Sequence, residues 1–231
     1  MKSNQRMAKL GAALLTLITL TLLLPGVALA QSKLKTLHRF TIPNGGNHPH
    51  AGVIFDQSGN LYGTTYYGGH RDSGTVFKLA PNTNGSWTET VLYTFCTLSQ
   101  CADGALPQAG LVFDQAGNLY GTTSEGGEPS GGVGVVFKLT PNKDGSWSEN
   151  VIYTFRGQKD GGFPEAGLIF DAKGNLYGTA AAGGTFSAIN CVGDSGCGVV
   201  FELTPNTGGT WTESVLYRFP GDKDGYQPSA G

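Results

Sequence analysis

Four side chains within a short stretch have the chemistry of a metal site: His48, His50, His70 and Asp72. Imidazole nitrogens and a carboxylate are the donor set that zinc or copper takes. His48-Pro49-His50 puts two rings in one loop, and His70 and Asp72 share a second. The competing reading is that all four are polar loop residues. Positions corresponding to three of them later in the chain hold Leu106, Gln108 and Glu128, so the scaffold does not require them. No metal or other cofactor is therefore expected, and these four are the candidates for one.

The four cysteines carry a second kind of chemistry. Cys96 and Cys101 lie close together, as do Cys191 and Cys197. An even number in an exported chain favours disulfides, and four cysteines allow three pairings. The local pairs, Cys96–Cys101 and Cys191–Cys197, are favoured because each falls within one insertion that the rest of the chain lacks. Loops this short constrain the unfolded chain modestly, so loop rigidity is the expected gain. A zinc site would need the two loops to meet, since neither pair has the usual ligand spacing.

Two further sets recur at regular intervals. Trp87, Trp147 and Trp211 could form a platform for sugar rings, but identical placement points to packing. Glu89, Glu149 and Glu213 each follow two residues later. Glycosidase chemistry needs two carboxyl groups flanking one bond. These lie one repeat apart, and they read as solvated residues on a strand edge. No nucleophile elbow and no His-Glu-x-x-His is present.

Those intervals belong to a tandem repeat. Copies opening at Gly52, Gly110 and Gly167 share AG-[LV]-[VI]-F-D-x-x-G-N-L-Y-G-T, a Gly-Gly, V-F-[KE]-L-x-P-N and G-[ST]-W-[ST]-E-x-V-[LI]-Y-x-F; another opening falls at Gly231. Each copy holds four apolar runs rich in Val, Ile, Phe, Tyr and Thr, which suit strands. In the second copy they are residues 110–114, 118–123, 133–140 and 147–155. Asp114-Gln-Ala-Gly117-Asn118 reads as a tight turn, with the Asp accepting a backbone N–H and the Gly taking positive φ. A calcium loop would need more oxygen ligands. Four antiparallel strands per repeat, apolar at consecutive positions, describe propeller blades buried on both faces. The fold class is therefore all-β: a β-propeller-like array of four-stranded antiparallel blades. Repeats occupy residues 41–100, 101–157 and 158–221, and a further one starts at 222–231. Residues 34–40 match a fourth strand, the outer strand of an incomplete blade. Propellers close with about four to eight blades. Three complete repeats do not make a ring, so the reading frame is expected to continue past Gly231.

Residues 1–30 have the form of a secretory signal peptide: Lys2, Arg6 and Lys9, an apolar run from Leu10 to Leu24, then Ala28-Leu29-Ala30. The run is shorter than the roughly 20 residues that span a bilayer, so no membrane span is expected in the mature chain. The formal net charge of the whole chain is −2. No Lys/Arg cluster suggests a nucleic-acid partner.

The run GNLYGTT…GG…VFKLTPN…W-[ST]-E-x-V-[LI]-Y-x-F resembles the GloVer-type tandem repeat of secreted bacterial proteins, over residues 34–231. The resemblance implies a secreted or cell-surface β-propeller-like protein and assigns no catalytic residues. Members often carry a C-terminal anchoring segment, which is not seen here. The Gly-Gly and later Trp are loosely similar to kelch blades, and D-x-x-G-N-L-Y resembles blades of the NHL type.

Loops after the first and third strands are short and uniform, whereas those after the second and fourth vary in length and sequence. Variable loops on a rigid scaffold are the usual place for binding. The expected function is non-enzymatic binding of an extracellular protein or glycan through that face. The alternatives are a carbohydrate-active hydrolase or lyase and a purely structural surface component.

Overall fold

A computed structural model of the chain describes residues 34–41, 45–128, 132–186, 191, 196–221 and 225–229. The expected signal peptide lies outside the described residues. Two units divide the chain, Met1–Lys35 and Thr36–Gly231, and every element below belongs to the second.

Each repeat folds as one antiparallel sheet, because strands joined by tight turns pair with their sequence neighbours. The first blade pairs β2 (Ile54–Phe55), β3 (Leu61–Thr65), β5 (Thr75–Pro81) and β6 (Trp87–Thr94) in that order. The second pairs β7 (Val112–Phe113), β8 (Leu119–Thr123), β9 (Val135–Pro141) and β10 (Trp147–Thr154). The third pairs β11 (Ile169–Phe170), β12 (Leu176–Ala180), β13 (Val199–Pro205) and β14 (Trp211–Arg218). A small ladder joins β1 (Gly46–Asn47) to β4 (Tyr67–Gly68). The architecture is all-β and propeller-like, as the repeat implies. No helix among the described residues is long and apolar enough to cross a membrane.

The Asp–Gly turns form as their chemistry requires. Asp114 Oδ1 accepts the N–H groups of Ala116 and Asn118, both at 2.9 Å, and Gly117 sits at φ 84°. Asp114 Oδ2 accepts from the Asn118 amide at 2.7 Å and the Tyr120 hydroxyl at 3.2 Å. Asp56 and Asp171 repeat the arrangement.

The core lies between blades. One cluster joins Tyr62, Val76 and Phe95 of the first blade to Leu119, Val135 and Phe137 of the second. Another joins Tyr120, Val136 and Phe155 to Leu176, Phe201 and Leu203 of the third. Phenylalanines cross each seam edge to face, the favoured geometry of ring pairs: Phe95 on Phe137 at 5.0 Å and Phe155 on Phe201 at 5.1 Å. The Gly of each Leu-Tyr-Gly-Thr run makes room for them. A Cβ on Gly121 would stand 2.6 Å from Phe137 Cζ.

Residues 34–40, expected as the outer strand of an incomplete blade, carry no strand. Phe40 lies on Phe77 at 4.9 Å, the position that Phe95 takes on Phe137.

Candidate functional site

The variable loops are tied down by their backbones. Leu106 and Phe163, each just before a proline, hold φ at 57° and 52°. Non-glycine residues rarely adopt such angles. Leu106 N donates to Ser73 O of the first blade, and its carbonyl accepts from Ser124 N of the second. Phe163 bridges Val133 and Ala181 in the same way. His48 and Gln227 occupy the same position in their copies, at φ 55° and 53°. This clamp was not foreseen from the sequence; the only trace of it is the residue before the shared proline.

The clamp places His48, but its side chain is specific to the first blade. The His48 imidazole contacts the Asn47 carboxamide through Nδ1 and meets the Tyr67 ring edge to face at 5.4 Å. His50 stacks on Tyr66 at 4.9 Å, nearly coplanar, and Tyr66 meets Tyr67 at 4.5 Å. His70 and Asp72 are engaged elsewhere. His70 Nδ1 lies 2.8 Å from the Cys96 carbonyl, and Asp72 Oδ1 accepts the Gly68 N–H at 2.7 Å. Among the described residues no three His, Cys, Asp or Glu side chains gather closely enough to hold a metal ion. The structure thus joins His48 and His50 through two tyrosines, turns His70 to the carbonyl of Cys96 in the loop after the fourth strand, and turns Asp72 to its own loop.

Tyr66 also senses the other two blades. Its hydroxyl pKa is raised by burial first, then by Tyr67 and by the charges of Glu125 and Glu165. Glu125 follows the second strand of the second blade, and Glu165 enters the third blade at the position of His50. The first copy therefore places aromatic rings here, and the carboxylates of the other two copies act on Tyr66 through their charge. Repetition fails here, and a unique site can only exist where it fails. Its parts were visible in the sequence as variable loops, but their convergence was not.

The cysteines pair locally, Cys96 with Cys101 and Cys191 with Cys197. The first disulfide closes the loop whose Cys96 carbonyl contacts His70. Both suit an oxidising compartment.

The glutamates of the Trp-x-Glu motif require a correction. They are not solvated edge residues. Glu89, Glu149 and Glu213 point into the seams between blades, and each has Oε1 fully buried without a hydrogen-bond partner. Strand alternation is the reason: the outward neighbours Thr88, Ser148 and Thr212 take the exposed face. Burial, and then the charge of Asp103, pushes Glu149 up to about 7. Glu213 is pushed up to about 7 by burial and then Asp160, with Arg218 opposing. Asp103 is wholly buried. It accepts the Tyr93 hydroxyl at 2.8 Å and the Thr97 hydroxyl and N–H at 2.8 and 2.9 Å. Burial works to raise it, but these hydrogen bonds prevail and hold it below the usual carboxylate range. The first seam solves the same problem differently. There His38 Nε2 lies 2.8 Å from Glu89 Oε2, and the position of Asp103 is Gly45, where a Cβ would stand 3.1 Å from both Glu89 oxygens.

The tryptophans pack, as their repetition suggests. Trp147 meets Tyr62 at 6.3 Å and Trp211 meets Tyr120 at 6.2 Å, each across a seam.

Comparison with curated proteins finds no match. The repeat agrees with a family model that matches the chain. It spans residues 26–231, nearly the whole chain, and the protein belongs to the Gloeobacter/Verrucomicrobia repeat family.

Proposed function

We propose that the protein is an exported, non-enzymatic interaction module that binds an extracellular protein or glycan through its variable-loop face. The observation that carries this reading is the surroundings of Tyr66, whose ring contacts His50 and Tyr67 and whose hydroxyl pKa is raised by the charges of Glu125 and Glu165 of the other blades. Exposed aromatic rings beside carboxylates offer stacking surface and hydrogen-bond acceptors at one place. The clamped backbones beneath hold them in position without a ligand, which lowers the ordering cost of binding. Export is supported by the leader at residues 1–30 and by the two disulfides. The enzymatic alternative has less behind it. The carboxyl pair with the most suitable pKa values, Asp103 and Glu149, sits in a seam where Asp103 has no exposed surface for a substrate to reach.

The test is binding to a glycan array and to cell-envelope fractions, with the native protein and the double variant H50A/Y66A. Binding should fall at least tenfold in the double variant and persist in N84A, which alters a short turn on the opposite face. Equal binding by H50A/Y66A would sink the proposal. Turnover of a polysaccharide by the native protein would favour the enzyme.

A further inference from the structure

A groove runs along the seam of the second and third blades, at the end opposite the variable loops. Its walls come from the short turns and the strands that they join. Two adjoining cavities of about 570 and 390 Å³ share Asp114, Phe170 and Gly174. That size lies within the range of small-molecule sites, roughly 300–1,000 Å³. Phe170 and Trp211, both half-buried, form an aromatic wall over the buried Tyr120, with Phe170 edge-on to Tyr120 at 5.1 Å. Lys138 and Asn150 border the larger cavity and Lys173 the smaller.

The wall has a packing role, but the lysines do not. The Lys138 ammonium stands 5.5 Å from the centre of the Tyr120 ring, within cation–π reach. Among the described residues no carboxylate pairs with Lys138 or Lys173, and the Asn150 carboxamide has no hydrogen-bond partner. Both acids on the rim are already engaged: Asp114 and Asp171 each accept four hydrogen bonds from their own turn and the tyrosine that follows it. The groove therefore offers an aromatic surface, two unpaired ammonium groups and a free amide. The geometry points to a binding site for an acidic oligosaccharide here, with pyranose C–H faces on the aromatic wall and carboxylates or sulfates on Lys138 and Lys173.

The other blades set the site apart. The corresponding seam of the first and second blades keeps the wall as Tyr62, Phe113 and Trp147, and Lys78 lies 5.9 Å over Tyr62. There, however, Ala116 stands in place of Lys173 and Thr90 in place of Asn150. In the third blade Glu202 replaces the lysine and accepts the Tyr177 hydroxyl at 2.8 Å. Among the described residues, only this seam combines two ammonium groups with the wall. This site is separate from the variable-loop face and does not depend on that reading.

Calorimetric titration of the disulfide-intact protein tests it, with tetragalacturonate, neutral maltotetraose and dextran sulfate as probes. Tetragalacturonate should bind at least tenfold more tightly than maltotetraose. The variant K138M/K173M, at unchanged melting temperature, should lose at least tenfold in that affinity, and K78M should stay within twofold of the native protein. Tighter binding of dextran sulfate that the double variant abolishes would support the same groove and identify a sulfate ester as the preferred anion. No binding of either acidic probe, equal binding of maltotetraose, or acidic-probe binding that survives K138M/K173M would overturn the assignment.

Discussion

The seam carboxylates show how much a residue's neighbours decide. Glu149 is faced by Asp103 and Tyr93, and Glu213 by Asp160, Tyr153 and Arg218. Both glutamates have folded-state pKa values of about 7, above the ordinary 4.5. The folded protein therefore holds protons that the unfolded chain releases, and stability falls as pH rises from about 4.5 to about 7. Depressed carboxyls act oppositely. The contribution of Asp103 and Asp114 is present above the normal carboxylate range and is lost as pH falls below it. Scanning calorimetry should find the melting temperature highest between these limbs, and a few °C lower at pH 8 than at pH 5, the scale of ~1 kcal/mol in a chain of this size. The variant E149Q/E213Q should flatten the upper limb. An unchanged slope would mean that these carboxyls do not set it. In the sequence the three glutamates were indistinguishable from surface residues, since only the register of the outer strand and the presence of a neighbouring blade bury them.

At the scale of the element, strand positions were legible because turn chemistry punctuates them. The third and fourth strands of the second copy were expected at 133–140 and 147–155, and they run Val135–Pro141 and Trp147–Thr154. A register shift between Val151 and Tyr153 was not foreseen. It leaves Ile152 unpaired and places it in the core, as bulges re-aim side chains. The glycine inside each second strand also gained its reason from structure. It leaves space for the Phe ring of the third strand, so G121A should drive a methyl group into Phe137 and Leu111. Overpacking of this kind costs about 1–3 kcal/mol. Chemical denaturation should show that loss, and F137L in the same chain should recover part of it. A G121A protein as stable as the native one would contradict the close packing.

On the scale of the whole molecule, two of the three core clusters each belong to two blades, and the third packs Leu61, Phe77 and Leu79 of the first blade against Phe40. A lone blade would expose the side chains that fill these seams, and its buried apolar area would not offset the entropy of ordering it. The segment 101–157 by itself should therefore give a disordered circular dichroism spectrum. The chain from Thr36 onward should melt in one transition across all three blades. Separate transitions would show that the blades are independent. The family match and the fold agree with the repeat read from sequence. The groove beside Lys138 is assembled from two blades.

By itself the sequence determined what is local, the repeat and its strands and the Asp–Gly turns, and it favoured the local cysteine pairs that the structure shows. These depend on residues a few positions apart, whose contacts form in any copy of the motif. Tertiary structure alone decided what depends on the angle and distance between blades. It buried the seam glutamates, brought Tyr66 near Glu125 and Glu165, and set Lys138 beside an aromatic wall completed by Trp211. Those partners are far apart along the chain, and no periodicity records which loops will meet when one blade packs on the next.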